Sequence, residues 1–161
     1  MIVVSNTSPI INLAAIGKPD LLKKCFGKVY IPPAVYDEIT VKGSGEPGDI
    51  EVRTVDWIEV VEVKDTSLLL LLRKDLDDGE AESIVLSIQL DSDLLLLDEF
   101  DARSIASKLR LRFIGLLGVL MRAKEAGYVQ KVKPLMNSLK KQAGFWIDDD
   151  LYQYVLNVVK E

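Results

Sequence analysis

The chain opens on Ile2-Val3-Val4-Ser5, a continuous apolar run that stops at Asn6-Thr7-Ser8-Pro9. A run this short, closed by turn formers, reads as a buried strand. Ser8 is placed to cap a helix with Pro9 at its first position, and Gly17 stops that helix. The alternation then repeats. A short helix over about 20–25 leads to a strand at Val29-Tyr30-Ile31, and Pro32-Pro33 starts a helix through Ile39 that carries Glu38. Residues 42–49 hold three glycines and a proline, which predicts a mobile loop. Residues 57–63 alternate as a strand, and 68–76 predict a helix buried along one side.

Asp77-Asp78-Gly79 breaks the pattern before a helix over 80–90. Leu94 to Leu97 is a run of four leucines, the density of a strand covered on both faces. A helix over 100–109 presents Ala102, Ile105, Ala106 and Leu109 on one side, and Phe113-Ile114 is the last strand. Helices over 116–126, 132–142 and 149–160 complete the chain, the last two joined by Gly144-Phe145-Trp146. Strands alternating with helices imply an α/β fold, a three-layer α/β/α sandwich around a mostly parallel central sheet. No boundary divides the chain, so one domain is expected over 1–161, with a helical extension from about residue 130.

Composition narrows the chemistry. A hydrophobic share of 48% and a mean hydropathy of +0.17 mark a packed chain rather than a disordered one. There is no histidine, which removes histidine–zinc sites, histidine bases and serine–histidine triads together. The lone Cys25 cannot form an internal disulfide and reads as packing rather than a nucleophile, which suits a reducing cytoplasm. The start lacks a basic segment before a long apolar stretch, and the longest apolar run, Leu68 to Leu72, falls far short of the ~20 residues that span a bilayer. A soluble cytoplasmic protein with no membrane partner is expected.

Charge is unevenly spread. Residues 103–142 carry ten Lys or Arg against one acid, Glu125, a local charge of +9 that leaves −14 on the rest of a chain with net charge −5. A basic stretch beside an acidic pocket suits a polyanionic substrate, and ordinary solvated helix faces account for it equally.

Asn6 stands at the C-terminal end of the first strand, where open α/β sheets bind ligands. Glu38, Glu80, Asp98 and Glu99 are able to converge on the same edge. Acids gathered without a cation repel one another, so a hard divalent metal is the natural occupant. Each also has an ordinary reading. Glu80 in a first helical turn gains about 0.3–1 kcal/mol from the helix dipole. Asp98 or Glu99 caps the helix that begins near Phe100, Asp101 is a first-turn acid, and Glu38 is a solvated charge. Thr7 and Ser8 hold a phosphate or a metal-bound water, or serve only as a helix cap.

The motifs taken together resemble the PIN-domain family. Ser5-Asn6-Thr7-Ser8-Pro9-Ile10-Ile11-Asn12-Leu13 is similar to the family's opening, where Asp is usual at the position of Asn6. Pro32 to Ile39 resembles its second acidic motif, and Asp78-Gly79-Glu80-Ala81-Glu82 the Gly-Glu-Ala helix start of a compact toxin-type branch, the VapC-like one. Leu97-Asp98-Glu99 with Ala102-Arg103, the segment from Gly115 to Gly127, and Gly144-Phe145-Trp146-Ile147 extend the resemblance over nearly the whole chain.

That resemblance implies a Mg²⁺ or Mn²⁺ ribonuclease, often the toxin of a toxin–antitoxin pair. Carried over by motif, Asn6 takes the place of the first acid, Glu38 the second, Glu80 the third and Asp98 or Glu99 the fourth. It further implies RNA as substrate and an antitoxin protein as partner, and the basic stretch offers Arg103, Lys108, Arg110, Arg112, Arg122 and Lys124 as candidates for the RNA backbone. A homodimer through Leu116-Leu117, Val119-Leu120 or the helix over 151–159 is also implied, and core packing explains those residues equally well. Because Asn6 removes one negative charge, the competing reading is a non-catalytic module that binds RNA or a protein. A phosphate-binding doubly wound sheet is the other rival, and the turn from Ser5 to Pro9 lacks the glycines it needs.

Overall fold

The computed structural model describes residues 1–161. Five short strands form one sheet: β1 Val3–Ser5, β2 Val29–Ile31, β3 Ile58–Val60, β4 Leu94–Leu96 and β5 Phe113–Ile114. Their spatial order is β3-β2-β1-β4-β5, and every pairing is parallel. Side chains on a strand alternate between faces. Val3, Leu94 and Leu96 accordingly enter one core, while Val4, Leu95 and Leu97 enter the other. All four leucines from Leu94 to Leu97 are buried, as a strand sandwiched between helical layers requires.

The larger core is closed by α1 Thr7–Ala15, α2 Asp20–Phe26, α8 Leu116–Glu125, α9 Lys133–Gln142 and α10 Asp149–Val158. On the opposite face lie α5 Thr66–Leu72, α6 Asp78–Gln89 and α7 Phe100–Lys108. The expected α/β/α sandwich is present, with a sheet that is wholly rather than mostly parallel. No helix is long and apolar enough to cross a membrane.

Some local expectations are corrected. The first helix begins at Thr7 with Asn6 in the capping position, so Ser8 lies inside it and does not cap it. The stretch expected as a mobile loop is tied down and ends in a helix, α4 Asp49–Thr54. Asp49 accepts from the Gly45 N–H at 2.8 Å and from Arg53 Nε at 2.6 Å. Arg53 Nη2 also donates to the Thr40 carbonyl at 2.6 Å. Gly48 sits at φ +99°, where a Cβ would press on the Ile11 and Ile39 side chains at 3.2 and 3.3 Å. The turn is therefore packed as well as bonded.

That carbonyl belongs to a π-helical turn, Glu38–Lys42, which follows α3 Pro33–Asp37. Widening the helix by one residue frees carbonyls and re-aims side chains, and such turns concentrate at functional sites. On α8, Leu116, Leu117, Val119 and Leu120 are all buried in the core, which is the packing role the sequence left open for them.

Truncation at the centre of the sheet should be costly. Leu96→Ala, at a fully buried position, is expected to lower stability by about 2–5 kcal/mol. Leu70→Ala, at a position 64% exposed, should stay within about 0.5 kcal/mol. Urea unfolding of both variants checks the contrast.

Candidate active site

In the strand order 3-2-1-4-5, the chain leaves β1 toward one face and β4 toward the other. A crevice opens between their C-terminal ends, the place where such sheets take ligands. Ser5 pairs with Leu96, and the Asn6 N–H donates to the Leu96 carbonyl at 3.0 Å. The register thus sets Asn6 beside the segment that carries Asp98 and Glu99.

Asn6 is buried, and its Oδ1 is the one buried side-chain oxygen or nitrogen in the protein without a hydrogen-bond partner. Such an orphan costs on the order of 1–3 kcal/mol. Its neighbours make the cost informative. A Cβ placed on Gly79 would meet Glu38 Oε1 at 2.8 Å and Asn6 Oδ1 at 3.2 Å. Two acceptor oxygens therefore close on the start of α6 with no donor between them, and only glycine leaves them room.

Glu38 is oriented by Thr7, whose Oγ1 donates to Oε2. Thr7 holds an acid at the site and not the end of a helix. Glu80 is buried at the first turn of α6 in a reciprocal cap: its N–H donates to Asp77 Oδ1 at 2.8 Å, and the Asp77 N–H donates to Glu80 Oε1 at 3.2 Å. Burial, together with the nearby charges of Asp77 and Glu99, raises the Glu80 carboxyl to about 7. Asn6, Thr7, Ser8, Glu38, Asp77, Glu80 and Glu99 line one cavity of about 250 Å³ that contains no Lys or Arg.

Asp98 faces elsewhere. Its Oδ1 accepts from the Leu116 N–H at 2.9 Å, at the start of α8, and its Oδ2 from Ser8 Oγ at 3.2 Å. Burial raises its carboxyl, opposed by the Leu116 N–H, the Arg103 charge and Ser8. Asp98 thereby ties β4 to α1 and α8, and Glu99 is the one of the two that lines the acidic cavity. Neither side chain caps α7, where a cap was expected. Asp101 is the first-turn acid of α7. Asp77 also belongs to the site, and Asp77-x-x-Glu80 is a legible capping-box signature for it. Glu82, which carries no such local signal, accepts at Oε2 from the Ala34 N–H at 3.0 Å and so fixes the helix that leads to Glu38.

No three acids lie close enough to share one ion. The expectation that Glu38, Glu80 and Asp98 or Glu99 jointly surround a metal is corrected to that extent. A hard cation such as Mg²⁺ needs less, since one or two carboxylates plus water and substrate phosphate usually hold it. An uncompensated acidic cavity with an orphaned amide oxygen fits that demand.

The cations proposed for an RNA backbone do not gather at this edge. Lys108 ends α7, Arg110 follows it, and Arg112 precedes β5, so all three sit at the opposite edge of the sheet. Arg122 and Lys124 lie at the far end of α8. Arg122 stacks 5.2 Å from the Phe26 ring centre, and Lys124 pairs with Glu161 at 2.8 Å. Only Arg103 reaches the site, with Nε donating to the Leu97 carbonyl at 2.7 Å.

A family model described as PIN domain matches residues 2–161. The chain belongs to the PIN-domain family. PIN domains are generally nucleases and typically use divalent metal ions. No curated protein matches the chain. In this PIN domain the usual opening acid is Asn6, and the acidic cavity sits at the sheet edge that the family resemblance implied.

The raised Glu80 carboxyl gives a signed expectation. A carboxyl whose folded pKa lies above its unfolded value binds more protons when folded. Its contribution to stability is therefore lost as pH rises from the usual carboxylate range through about 7. Glu80→Gln keeps the oxygen that accepts from Asp77 and removes the charge. The variant should be more stable than the parent by on the order of 1–3 kcal/mol at pH 8, with the gap closing by pH 4. Denaturant unfolding at both pH values reads it.

Proposed function

We propose that this PIN domain hydrolyses RNA phosphodiester bonds with Mg²⁺ or Mn²⁺ bound in the acidic cavity, as the toxin of a toxin–antitoxin pair. The observation that carries the catalytic reading is the buried Asn6 Oδ1. It is an acceptor with no donor, set against the Glu38 carboxylate in a cavity otherwise edged by Asp77, Glu80 and Glu99. The toxin role, the antitoxin partner and homodimerisation are carried by motif resemblance; a cytoplasmic location is carried by the lone Cys25 and by apolar runs too short to span a bilayer.

Asn6 Oδ1 and one or two of the carboxylates Glu38, Glu80 and Glu99 would hold the ion, with water and substrate phosphate completing its shell. Such an ion supplies positive charge for the scissile phosphate and an acidified water at neutral pH. The chain's own groups prepare the site. Thr7 occupies one Glu38 oxygen and leaves Oε1 to the cavity. The Asp77 N–H fixes Glu80 Oε1, and the other Glu80 oxygen makes no protein hydrogen bond. Asp98 and Ser8 hold β4, α1 and α8 at fixed separation, so Glu99 is presented from a braced turn. A phosphate entering from the Ser8 side would pass Arg103 before reaching the acids.

The absence of three converging acids favours, as a second reading, a module that binds RNA without cutting it. Metal binding separates the two. Titration with Mn²⁺ should release heat and raise the melting temperature, both being lost in Glu80→Gln. Asn6→Asp restores a charge worth about 4 kcal/mol per unit countercharge at ~4 Å and an effective dielectric of 20, before desolvation. The variant should bind Mn²⁺ on the order of tenfold or more tightly and cleave single-stranded RNA faster. Silence at millimolar Mn²⁺ from both the parent and Asn6→Asp would leave the binding module as the better reading.

A further inference from the structure

A larger cavity of about 740 Å³ adjoins the acidic one and shares Ser8 and Glu99 with it. Its lining is mostly apolar, with Arg103 its only cation. Gly115 and Gly118 leave room for their neighbours: a Cβ on Gly115 would strike Arg103 Nη2 and then Asp98 Oδ1 at 2.5 Å, and one on Gly118 would meet Ile114 Cβ at 3.0 Å.

The wall is aromatic, and much of it faces water. Trp146 is 79% exposed and Tyr154 61% exposed, while Phe100, next in the chain to Glu99, is 82% exposed. Phe100 and Trp146 are the two most exposed large hydrophobic residues in the protein. The Trp146 backbone is nonetheless pinned. The Phe145 N–H donates to the Leu139 carbonyl at 3.0 Å, Phe145 packs against the core, and Ile147 is buried. Gly144, at φ +64°, makes the turn that carries the indole outward. A rigid backbone that holds an indole in solvent has its recognition surface formed in advance.

We propose that this groove seats the unpaired nucleotides beside the scissile phosphate, with bases stacked on Trp146 and Tyr154. The inference rests on the nuclease reading of the adjoining cavity and adds to it where the bases that flank the cut would sit. Two features select this occupant. The groove runs into the cavity whose acids and orphaned oxygen suit a phosphodiester. It also offers flat π faces with a single guanidinium, which suits bases better than a phosphate track. Stacking on aromatic side chains is tolerant of sequence and contributes substantially per base. A duplex keeps its bases stacked inside and has none to offer.

Tryptophan fluorescence tests this in the intact chain. Trp57 is buried and Trp146 exposed, so quenching by added RNA reports on Trp146. The probe is a single-stranded oligoadenylate of roughly eight nucleotides, within the span one such groove covers, in EDTA so that nothing is cut. The expected result is saturable quenching, with Trp146→Ala or Tyr154→Ala weakening binding about 5- to 100-fold and Trp146→Phe restoring most of it. Leu70→Ala, at an exposed position on α5 outside both cavities, should bind and quench as the parent does.

An RNA duplex that binds equally well overturns the proposal. So does parental binding by Trp146→Ala, or a Trp146→Ala variant that changes only the oligomeric state in light scattering, which would assign the face to a second copy. Quenching without any Mn²⁺-dependent cleavage sustains the groove and overturns the nuclease reading instead.

Discussion

β1 and β4 lie side by side in parallel register, and the helices that follow them leave to opposite faces of the sheet. Every feature of the site depends on that pairing. The Asn6 N–H to Leu96 carbonyl bond ends the ladder at the point where two polar segments emerge together. The apolar alternation of Val3, Val4 and Leu94 to Leu97 fixes the register, because a slip of one residue would exchange the two cores.

Around this crevice the protein accepts polar costs that packing alone would not retain. Asn6 Oδ1 is unbonded, and Glu80 is charged at neutral pH only against its surroundings. Elsewhere buried polar groups are satisfied: Asp49 by Gly45 and Arg53, Glu82 by Ala34, Ser83 by the Gly79 carbonyl. An unbonded buried acceptor beside a carboxyl raised to about 7 marks this hollow as a place prepared for something from solution. The surroundings are correspondingly rigid. The π-helical turn aims Glu38, the Asp77–Glu80 cap aims Glu80, and Asp98 clamps three elements without entering the acidic cavity.

Distribution of positive charge has a different origin. The basic stretch in the sequence divides between the two edges of the sheet, because α7 and α8 each run back from the C-terminal edge toward the other. Proximity along the chain therefore says little about which cations meet a substrate. Arg103, in the first turns of α7, is near the site. Lys108, Arg110 and Arg112 are carried away by the length of that helix, and Arg122 and Lys124 by the length of α8. What adjoins the acids is a mostly apolar groove that carries Trp146 and Tyr154, with Arg103 its only cation.

The sequence by itself determined the layer order, the strand positions and the family, since hydrophobic period and turn residues are local properties. It also marked Asn6, Glu38, Glu80 and the Asp98–Glu99 pair, because strand ends and helix starts are legible from their neighbours. Only the tertiary structure decided that Asp98 turns to Leu116 and Ser8 while Glu99 faces the acids, that Thr7 serves Glu38, and that Asn6 lacks a donor. Those outcomes depend on where separate elements pack against one another. A hydrogen bond between residues 18 or 90 positions apart leaves no trace in local pattern. The α4 helix was hidden for a related reason: three glycines suggest freedom, and it is the Asp49–Arg53 contacts and the neighbouring Ile11 and Ile39 that remove it.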